Sequence, residues 1–474
     1  MQARRQQSSR GGWALAASLL LGSCASTPGP VCSESELRAA LEDSYVGQVI
    51  RIGACRVDVN STLVVPAGVR LEGQSETTSV LVSSGTTATS DDLLALPPGD
   101  GDTALAQLSI EYAGTAVAIH APQQLDTIRG LTIESVTVRA THGIAIAIRN
   151  RQPLRIAHVT LAGPVTADSA MSLSAEPTTA DTATVGIALV SVGSTTTPAT
   201  IEDLTVTGFG GRGAAYVDGI IRWNVGMIAG NAGVGVVVQG GNVVMDGVTI
   251  DGTLPLSGGL VPGLSMAASG GAEIGGAGLE IGNATGYGLV LFDGTAALDD
   301  LSVHDNSLAG VWSQGSVSLT LRGAGTSVAR NGGAGVAALG TRTLAIEGGR
   351  IEDTRAIPRV IGGMGVQMVG DGLHVVSGTD IDHVDGIILA GNARVGMLLD
   401  AGGGALSGAI TNVTVSGTGT ELGAVAQNGT IPSSWDSGIM RSGDVVANDA
   451  AFTGTLPILG DRLTAPALGA VDGI

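Results

Sequence analysis

Acidic and histidine side chains are concentrated near residue 380, where Asp380, Asp382 and His383 lie within four positions. Alternate residues of a strand share a face, so Asp380 and Asp382 are expected on one face and His383 on the other. Two carboxylates on an outer face offer the oxygen ligands that Ca²⁺ takes. The spacing makes Asp380 and Asp382 candidate calcium ligands and all three residues candidate catalytic groups. Solvated acids on an exposed strand are the alternative.

Asp299 and Asp300 form a second candidate catalytic pair, with His304 and Asp305 close behind. Paired carboxylates can share the acid and base roles of glycoside hydrolysis. Adjacent residues of a strand point to opposite faces, so the alternative is that one of the two aspartates lies at a bend.

A third group joins aromatic and charged side chains between residues 209 and 223. Its candidate ligand-binding members are Tyr216, Asp218, Arg222 and Trp223. An aromatic ring beside an arginine and a carboxylate is a combination that suits a sugar-binding groove. The alternative is an irregular coil whose large side chains cover the outside of the molecule.

A repeating architecture must position these residues. Asparagine and glycine recur four positions apart, as Asn231/Gly235, Asn306/Gly310, Asn331/Gly335 and Asn392/Gly396. The asparagines are 75, 25 and 61 residues apart, close to three, one and two units of one repeat. A repeat of about 20–50 residues is typical of a solenoid. The flanking segments alternate apolar and polar residues, which predicts strands rather than helices.

Composition supports a narrow solenoid. Glycine supplies 75 of 474 residues and aromatic residues only 2%. We expect the repeated Asn and Gly at bends, where a positive φ costs these residues least. Equivalent asparagines should stack into a ladder of amide hydrogen bonds, inside a core of aligned aliphatic side chains.

The repeat resembles that of pectate-lyase-like proteins. The Asn-x-x-x-Gly-Val units, the segment Leu37–Leu41 and the segments 47–52 and 63–73 are similar to the repeats, the N-terminal cap and the first coil of that class. The resemblance implies an all-β fold, a single-stranded right-handed parallel β-helix (β-solenoid) with a short N-terminal capping helix. It leaves function open, because the class includes lyases, hydrolases, epimerases and adhesins.

Two of the candidate sites share short motifs with this class. Ile381–His383 resembles the Ile-Asp-His motif of pectate lyases, and Arg355–Arg359 resembles their Arg-x-Pro segment, in reversed order along the chain. Asp299 and Asp300 resemble the adjacent aspartates of β-helix enzymes that hydrolyse galacturonans, but the companion motifs of that family are missing. The sequence therefore contains no complete catalytic set of either family.

The N-terminus resembles a lipoprotein signal. Residues 1–23 combine a basic start with a short apolar run, and Leu21-Gly22-Ser23-Cys24 is similar to a bacterial lipobox. Cys24 is then the lipidation site, and Ala25 after it resembles the outer-membrane sorting pattern. The alternative is an ordinary cleaved signal with a chance cysteine. The prediction is an outer-membrane lipoprotein that faces the periplasm or the cell surface.

With Cys24 on lipid, Cys32 and Cys55 remain as an even pair in an oxidising compartment, which predicts a disulfide. Cys32 directly precedes Ser33 and Glu36, a capping box that opens a helix running to about Ser44. A bridge would hold this helix over the first coil and protect an exposed sheet edge.

The predicted organisation is one long domain with a cap at each end. Its parts are a signal peptide (1–23), a tether (24–31), an N-terminal cap (32–62), a parallel β-helix (63–430) and a C-terminal cap or tail (431–474).

The negative net charge limits the kinds of molecule that the protein can bind. The formal charge is −19, and all 23 basic residues are arginine. Such a chain is a poor ligand for nucleic acid, which leaves a polysaccharide, an envelope protein and, through the lipid, the membrane. No cofactor is expected apart from the calcium considered above.

The sequence favours a lipid-anchored cell-envelope protein with a non-catalytic structural or binding role, such as glycan binding or adhesion. The alternative is a carbohydrate-active enzyme: a polysaccharide lyase, glycoside hydrolase or epimerase.

Overall fold

The structure is a computed structural model that describes residues 29–83, 91–122, 130–165, 184–255, 263–361, 365–419, 422–430, 435–442, 445–447, 456–459 and 463–466. The predicted signal peptide and the lipidation site Cys24 lie outside these residues, so lipid anchoring stays a prediction. Among the described helices, none is long and apolar enough to cross a membrane.

The N-terminal cap has the predicted form. A helix spans Glu34–Glu42, and the hydroxyl of its N-cap Ser33 accepts a hydrogen bond from the amide of Glu36. Cys32 and Cys55 form the predicted disulfide, with their Cα atoms 5.8 Å apart. Leu37 and Leu41 are buried against the first coils. The helix therefore covers the N-terminal end of the core.

Two parallel sheets build the body of the molecule. Within the described residues, the first sheet (sheet 1) has 23 strands. They are Val49–Arg51, Arg56–Val59, Arg70–Glu72, Val80–Ser83, Thr103–Tyr112, Leu131–Ala140, Leu154–Ala162, Ala199–Thr207, Ile220–Ala229, Asn242–Asp251, Glu273–Ala277, Glu280–Gly282, Gly294–Asp299, Ser302–His304, Val317–Arg322, Ser327–Ala329, Thr343–Glu347, Arg350–Glu352, Ile381–Asp385, Ile388–Ala390, Ala409–Thr411, Val413–Ser416 and Ile439–Ser442.

The second sheet (sheet 2) has 16 strands in the described part of the chain. They are Leu63–Val64, Leu94–Ala95, Val117–Ala121, Ile144–Arg149, Val185–Val190, Arg212–Val217, Val234–Gln239, Leu264–Ser269, Tyr287–Leu291, Val311–Gln314, Gly333–Leu339, Ile357–Ile361, Gly365–Val376, Val395–Asp400, Leu422–Gln427 and Val445–Ala447. A second short helix spans Trp435–Gly438.

The chain winds alternately through the two sheets, and each strand pairs in parallel with its equivalent one coil later. Ile357–Ile361 is the exception, because it pairs antiparallel with the start of Gly365–Val376 and forms a hairpin arm. About 14 turns stack in this way around one continuous apolar core. The predicted fold class, a parallel β-solenoid with a short capping helix, is confirmed.

Parallel strands extend beyond residues 63–430 at both ends of the predicted β-helix. Parallel pairing already begins at Val49, inside the predicted cap, because Val49–Arg51 pairs with Arg70–Glu72. It continues beyond residue 430, since Ile439–Ser442 and Val445–Ala447 both extend the sheets. The repeat signal fades there because the last coils lack the Asn and Gly positions, although the strands persist.

Sheet 1 bends at one residue in each coil, and these residues align. His158, Asp203 and Val225 have φ near +50° and occupy the same register position in three successive coils. Asp300, with a φ of +49°, lies at the same position farther along the sheet. Gly247, Gly278, Gly348 and Gly386 continue the column with φ between +63° and +76°. One column of left-handed residues therefore runs along the middle of sheet 1.

The repeated asparagines stack as predicted, but they do not have the predicted positive φ. Asn306 accepts a hydrogen bond on its side-chain oxygen from the amide of Ala284, one coil earlier, and Asn331 accepts one from Asn306. A side-chain bond of 2.8 Å also joins Asn306 to Asn331. The left-handed residue is the one before the asparagine, such as Asp305 or Arg330. The ladder is real, and the expectation of a positive φ at Asn is wrong.

The repeated glycines are needed for space and not for backbone conformation. A Cβ on Gly310 would lie 2.6 Å from the side-chain nitrogen of Asn331 and 2.8 Å from the carbonyl oxygen of Gly335. Gly288 and Gly372 face the same kind of neighbours in the coils that follow them. None of the three has a positive φ. The Asn-x-x-x-Gly spacing thus has two structural causes. The asparagine stacks on the equivalent asparagine of a neighbouring coil, and the glycine leaves room for the backbone of the next coil to pass close by.

Replacement of Gly310 by alanine is expected to destabilise the protein by about 1–3 kcal/mol, since the added methyl group overpacks a rigid backbone contact. Gly275 is the matched control, because its Cβ would meet its nearest neighbours at 3.8 Å. Urea unfolding of both variants measures the difference. Equal stability of the two variants would contradict the close-approach role.

Candidate functional site

The predicted cluster around Asp382 lies on the outer face of sheet 1. Register shifts between Leu344 and Ala345, so Leu344 faces Ile381 and Ala345 faces His383. Asp382 is therefore an extra residue of a bulge, and its carboxylate contacts His383 at 3.0 Å on the same exposed side. The prediction that His383 lies on the opposite face is wrong, because the bulge interrupts strict alternation.

This cluster does not form the predicted calcium site. His383 makes its second ring contact with Glu347 at 2.9 Å, and exposed Asp380 lies 3.4 Å from the hydroxyl of Ser407. No group of three or more His, Cys, Asp or Glu side chains within the described residues could hold a metal ion. The alternative of solvated acids on a strand describes Asp380 and Asp382 better.

Asp299 and Asp300 do not act as a carboxylate pair. Asp299 forms an exposed ion pair with Arg322 at 2.9 Å. Asp300 lies at the left-handed bend of sheet 1 and accepts a hydrogen bond from the amide of Gly325. The two carboxylates hold neighbouring coils together. The alternative, that one of them lies at a bend, is the one observed.

The predicted aromatic groove is absent, because its rings point inward. Tyr216 and Trp223 are 1% and 0% exposed and pack edge to face in the core, with their ring centroids 6.1 Å apart. Burial raises the pKa of Tyr216. Asp218 and Arg222 lie on the surface. Four residues proposed for one groove are thus divided between the core and the solvent.

The structure instead assembles a buried group on the outer face of sheet 2. His374 lies on that face, since its neighbours Leu373 and Val375 point into the core. Its Nδ1 is 2.6 Å from the Oδ2 of Asp371. Arg394, from the next coil, donates from Nε to Oδ1 of Asp371 at 2.7 Å and from a terminal nitrogen to Oδ2 at 2.5 Å. Asp371 and His374 are both 0% exposed.

Hydrogen bonds fix the charge and the tautomer in this group. Burial alone would raise the pKa of Asp371, but the hydrogen bonds from Arg394 and His374 hold it below its ordinary value. The carboxylate is therefore ionised and accepts the Nδ1 proton of His374. Nε2 of His374 accepts a hydrogen bond from the amide of Leu459 at 3.2 Å. The ring thus presents an unprotonated nitrogen away from the core.

An aromatic pair lies two coils from His374 on the same face. Trp312 pairs through Ala337 with His374 in the register of sheet 2, which corresponds to about 10 Å. The ring of Tyr287 meets that of Trp312 edge to face, with centroids 5.5 Å apart. Arg359, on the hairpin arm, donates to the hydroxyl of Tyr287 at 2.9 Å.

Two C-terminal segments, 456–459 and 463–466, lie across this face. The side-chain amide of Gln427 both accepts from and donates to the backbone of Leu456, at 2.8 Å in each direction. Gln314 holds the backbone of Leu463 in the same way, at 3.0 and 2.8 Å. We call these two segments the strap. Beside it, a cleft of about 570 Å³ is lined by Asp400, Gly402, Gly403, Asn428, Gly429, Leu456 and Ile458.

Solved structures with a similar fold include a mutant of the periplasmic alginate epimerase AlgG, at 11% identity and a TM-score of 0.43, covering 68% of this chain and 83% of that one. The A-module of mannuronan C-5 epimerase AlgE6 from Azotobacter vinelandii has 14% identity and a TM-score of 0.34, covering 88% of this chain and 97% of that one. A GH87 α-1,3-glucanase catalytic unit from Streptomyces thermodiastaticus has 15% identity and a TM-score of 0.38, covering 93% of this chain and 72% of that one.

At these identities and TM-scores the likeness goes no further than the parallel β-solenoid fold that the strand pairing of the chain itself shows. No protein-family model matches the chain, and a search of curated proteins finds no match.

The expectation of a non-catalytic structural or binding role is corrected here. It depended on the lack of a complete catalytic set in the sequence, and the structure brings together Asp371, His374 and Arg394, which the sequence did not group. This group favours the alternative, a carbohydrate-active enzyme.

Proposed function

We propose that the protein is a carbohydrate-active enzyme that removes a proton from an acidic polysaccharide bound along the outer face of sheet 2. The observation that carries the proposal is His374, held by ionised Asp371 with its unprotonated Nε2 facing away from the core. A histidine oriented in this way is suited to act as a general base.

Each member of the group has a distinct role. His374 Nε2 accepts the proton, and Asp371 is a positioning residue that holds the ring and stabilises the positive charge it acquires. Arg394 keeps Asp371 ionised in a buried place where an unpaired carboxylate would be costly. A base of this type can abstract the proton next to the carboxylate of a uronic acid, the first step of both elimination and epimerisation.

Arg359 supports an acidic substrate. Its terminal nitrogen donates to Tyr287, while its Nε is buried and has no hydrogen-bond partner within the described residues. A guanidinium can bind a carboxylate through two parallel hydrogen bonds. Beside the Tyr287–Trp312 pair, it offers a cation next to an aromatic surface, which suits a uronic acid ring in a chain whose net charge is otherwise negative.

Hydrolysis fits the face less well. Glycosidases generally need two carboxyl groups, one of them protonated. Asp371 is ionised against Arg394, and buried Asp400 accepts hydrogen bonds from Gln427, Asn428 and the amide of Gly402. Neither of these carboxylates is free to serve as the acid.

The test is prolonged incubation of the full chain with alginate, pectate and a neutral α-glucan, with and without calcium. Elimination is read by the ultraviolet absorbance of unsaturated uronate ends, and epimerisation by deuterium uptake from heavy water. We expect one of these signals on a uronate polymer. Reducing ends released from the neutral glucan alone would contradict the proposal and favour a hydrolase.

A further inference from the structure

The strap runs along the axis of the solenoid and crosses the proposed site. Its anchors Gln427 and Gln314 occupy the same register column as Asp400, Val376 and Leu339, which lie between them in successive coils. Four coil spacings separate the two anchors, or about 19 Å. Leu456, Leu459 and Leu463 therefore follow one another from the last coils toward the middle of the molecule.

The anchors recognise backbone. Each glutamine accepts from the N–H and donates to the C=O of a single strap residue, as a neighbouring β-strand would. Gln314 is itself held by the indole N–H of Trp312 at 2.9 Å. The face thus offers two preformed polar positions, one on each side of His374.

Between the anchors, the strap occupies the groups that the chemistry needs. The amide of Leu459 donates to Nε2 of His374, the atom that would accept the substrate proton. The side chain of Leu459 is 6% exposed and packs in the cluster that contains Tyr287 and Trp312. His374 has no exposed surface while the strap is in place.

We propose that the strap is autoinhibitory: it occupies the place of the polysaccharide and must leave before His374 can act. The inference rests on the proposed function. Within the described residues, the polar contacts of the strap are the two glutamine anchors and the bond to His374. A segment held by a few hydrogen bonds and leucine side chains can open without global unfolding.

The variant Gln314→Ala/Gln427→Ala removes both anchors. Gln239→Ala is the matched control, because Gln239 belongs to the same column of sheet 2 and makes no hydrogen bond to the strap. Diethyl pyrocarbonate modifies accessible histidines, and peptide mass spectrometry locates the product. Exposed His158 serves as the internal reference in each sample.

We expect His374 to be protected in the wild type and in Gln239→Ala, and to react at least about tenfold faster in the double variant, given four lost hydrogen bonds. Fast reaction of His374 in the wild type, or an unchanged rate in the double variant, would contradict the autoinhibitory role of the strap. Circular dichroism of each variant confirms that the solenoid is folded.

Leu459→Pro provides a second route if the double variant does not fold, because it removes the N–H that reaches His374 and the buried leucine side chain while both glutamine anchors stay in place. Polysaccharide turnover then separates the two proposals. Faster modification of His374 together with faster turnover supports both. Faster modification without turnover of any polyuronate supports the covering of His374 by the strap and contradicts the proposed function. Turnover that is equal in all variants contradicts autoinhibition by the strap.

Discussion

Replacement of His374 by glutamine is expected to lower kcat/KM toward a polyuronate by about 10²–10⁴-fold, the usual contribution of a positioned general base. Glutamine keeps a hydrogen-bonding side chain of similar length, but it cannot accept the proton. His374 accepts a hydrogen bond from the strap and donates one to Asp371. A glutamine amide can make both kinds of hydrogen bond, so the variant should keep the fold. Initial rates with alginate and pectate measure the effect.

The control is His158→Gln, because His158 lies at the bend of sheet 1 and pairs with exposed Asp203. Its activity should equal that of the wild type. Asp371→Asn should also lower kcat, with the pH profile displaced, since the ring loses its ionised partner while Nε2 remains. Full activity of His374→Gln would remove this residue from the mechanism.

Those expectations depend on residues that sequence patterns did not bring together. Strict alternation places Asp371 and His374, three positions apart, on opposite faces of a strand. In the structure both face outward, because Gly372 lies between them at the close approach between coils, and alternation resumes only at Leu373. Arg394 comes from the following coil, and Leu459 lies 85 residues beyond His374. Register over such separations is not encoded in local spacing.

A signal for this site was nevertheless present in the repeat. Gly372 lies as close to the next coil as Gly310 does, since a Cβ on Gly372 would clash with the side-chain amide of Asn392 and the carbonyl of Gly396. The preceding turn carries Thr354 where other coils have asparagine, and the hairpin arm follows it. An insertion after the turn marks coils that depart from the repeat. The coil of His374 is one of them, and the coil of Thr253 and Ser265 is another.

The fold itself followed from the sequence because its causes are local and repeated. Stacked amides such as Asn306 and Asn331 depend only on equivalent turns. Cys32 and Cys55 were the pair left once Cys24 was assigned to lipid, and the capping box at Ser33 depends on four consecutive residues. Each of these features recurs or lies within a short segment, so periodicity and cap chemistry suffice to predict it.

Aromatic side chains show where composition was a poor guide. A low aromatic content predicts an aliphatic interior, which places the rings of Tyr216 and Trp223 at the surface. Trp223 and Tyr216 instead fill the core, whereas Tyr287 and Trp312 form the pair on the outer face. Whether a ring points inward depends on its position relative to the close-approach glycine of its coil. Tyr216 follows Gly213 by three positions and points inward, whereas Trp312 follows Gly310 by two and points outward.

Replacement of Arg394 by methionine is expected to destabilise the protein by about 3–5 kcal/mol, because it leaves the carboxylate of Asp371 buried without its cation. Both groups are buried, and the guanidinium makes two hydrogen bonds to the carboxylate. Arg330→Met is the matched control. Arg330 pairs with Asp305 at 2.7 Å on the exposed surface, and loss of such a pair should cost less than about 1 kcal/mol. Chemical unfolding at neutral pH compares the two.

The difference between wild type and Arg394→Met should shrink in acid. Because the folded-state pKa of Asp371 is lowered, the folded protein binds fewer protons here than the unfolded chain does. The contribution of the pair is therefore complete above the unfolded pKa of about 3.9, and is lost as the pH falls through the folded pKa. Unfolding curves at neutral pH and below pH 4 measure the change. A constant difference across that range would show that Asp371 is not the ionised partner.

A double variant separates stability from chemistry. Asp371→Leu/Arg394→Met replaces the ion pair with apolar side chains, which is often neutral or stabilising in a buried site. We expect it to recover most of the stability lost in Arg394→Met, while polyuronate turnover stays low because His374 has no ionised partner to orient its ring. Recovery of both properties would mean that the buried pair only secures the fold. Recovery of stability alone would show that Asp371 acts on the reaction through His374.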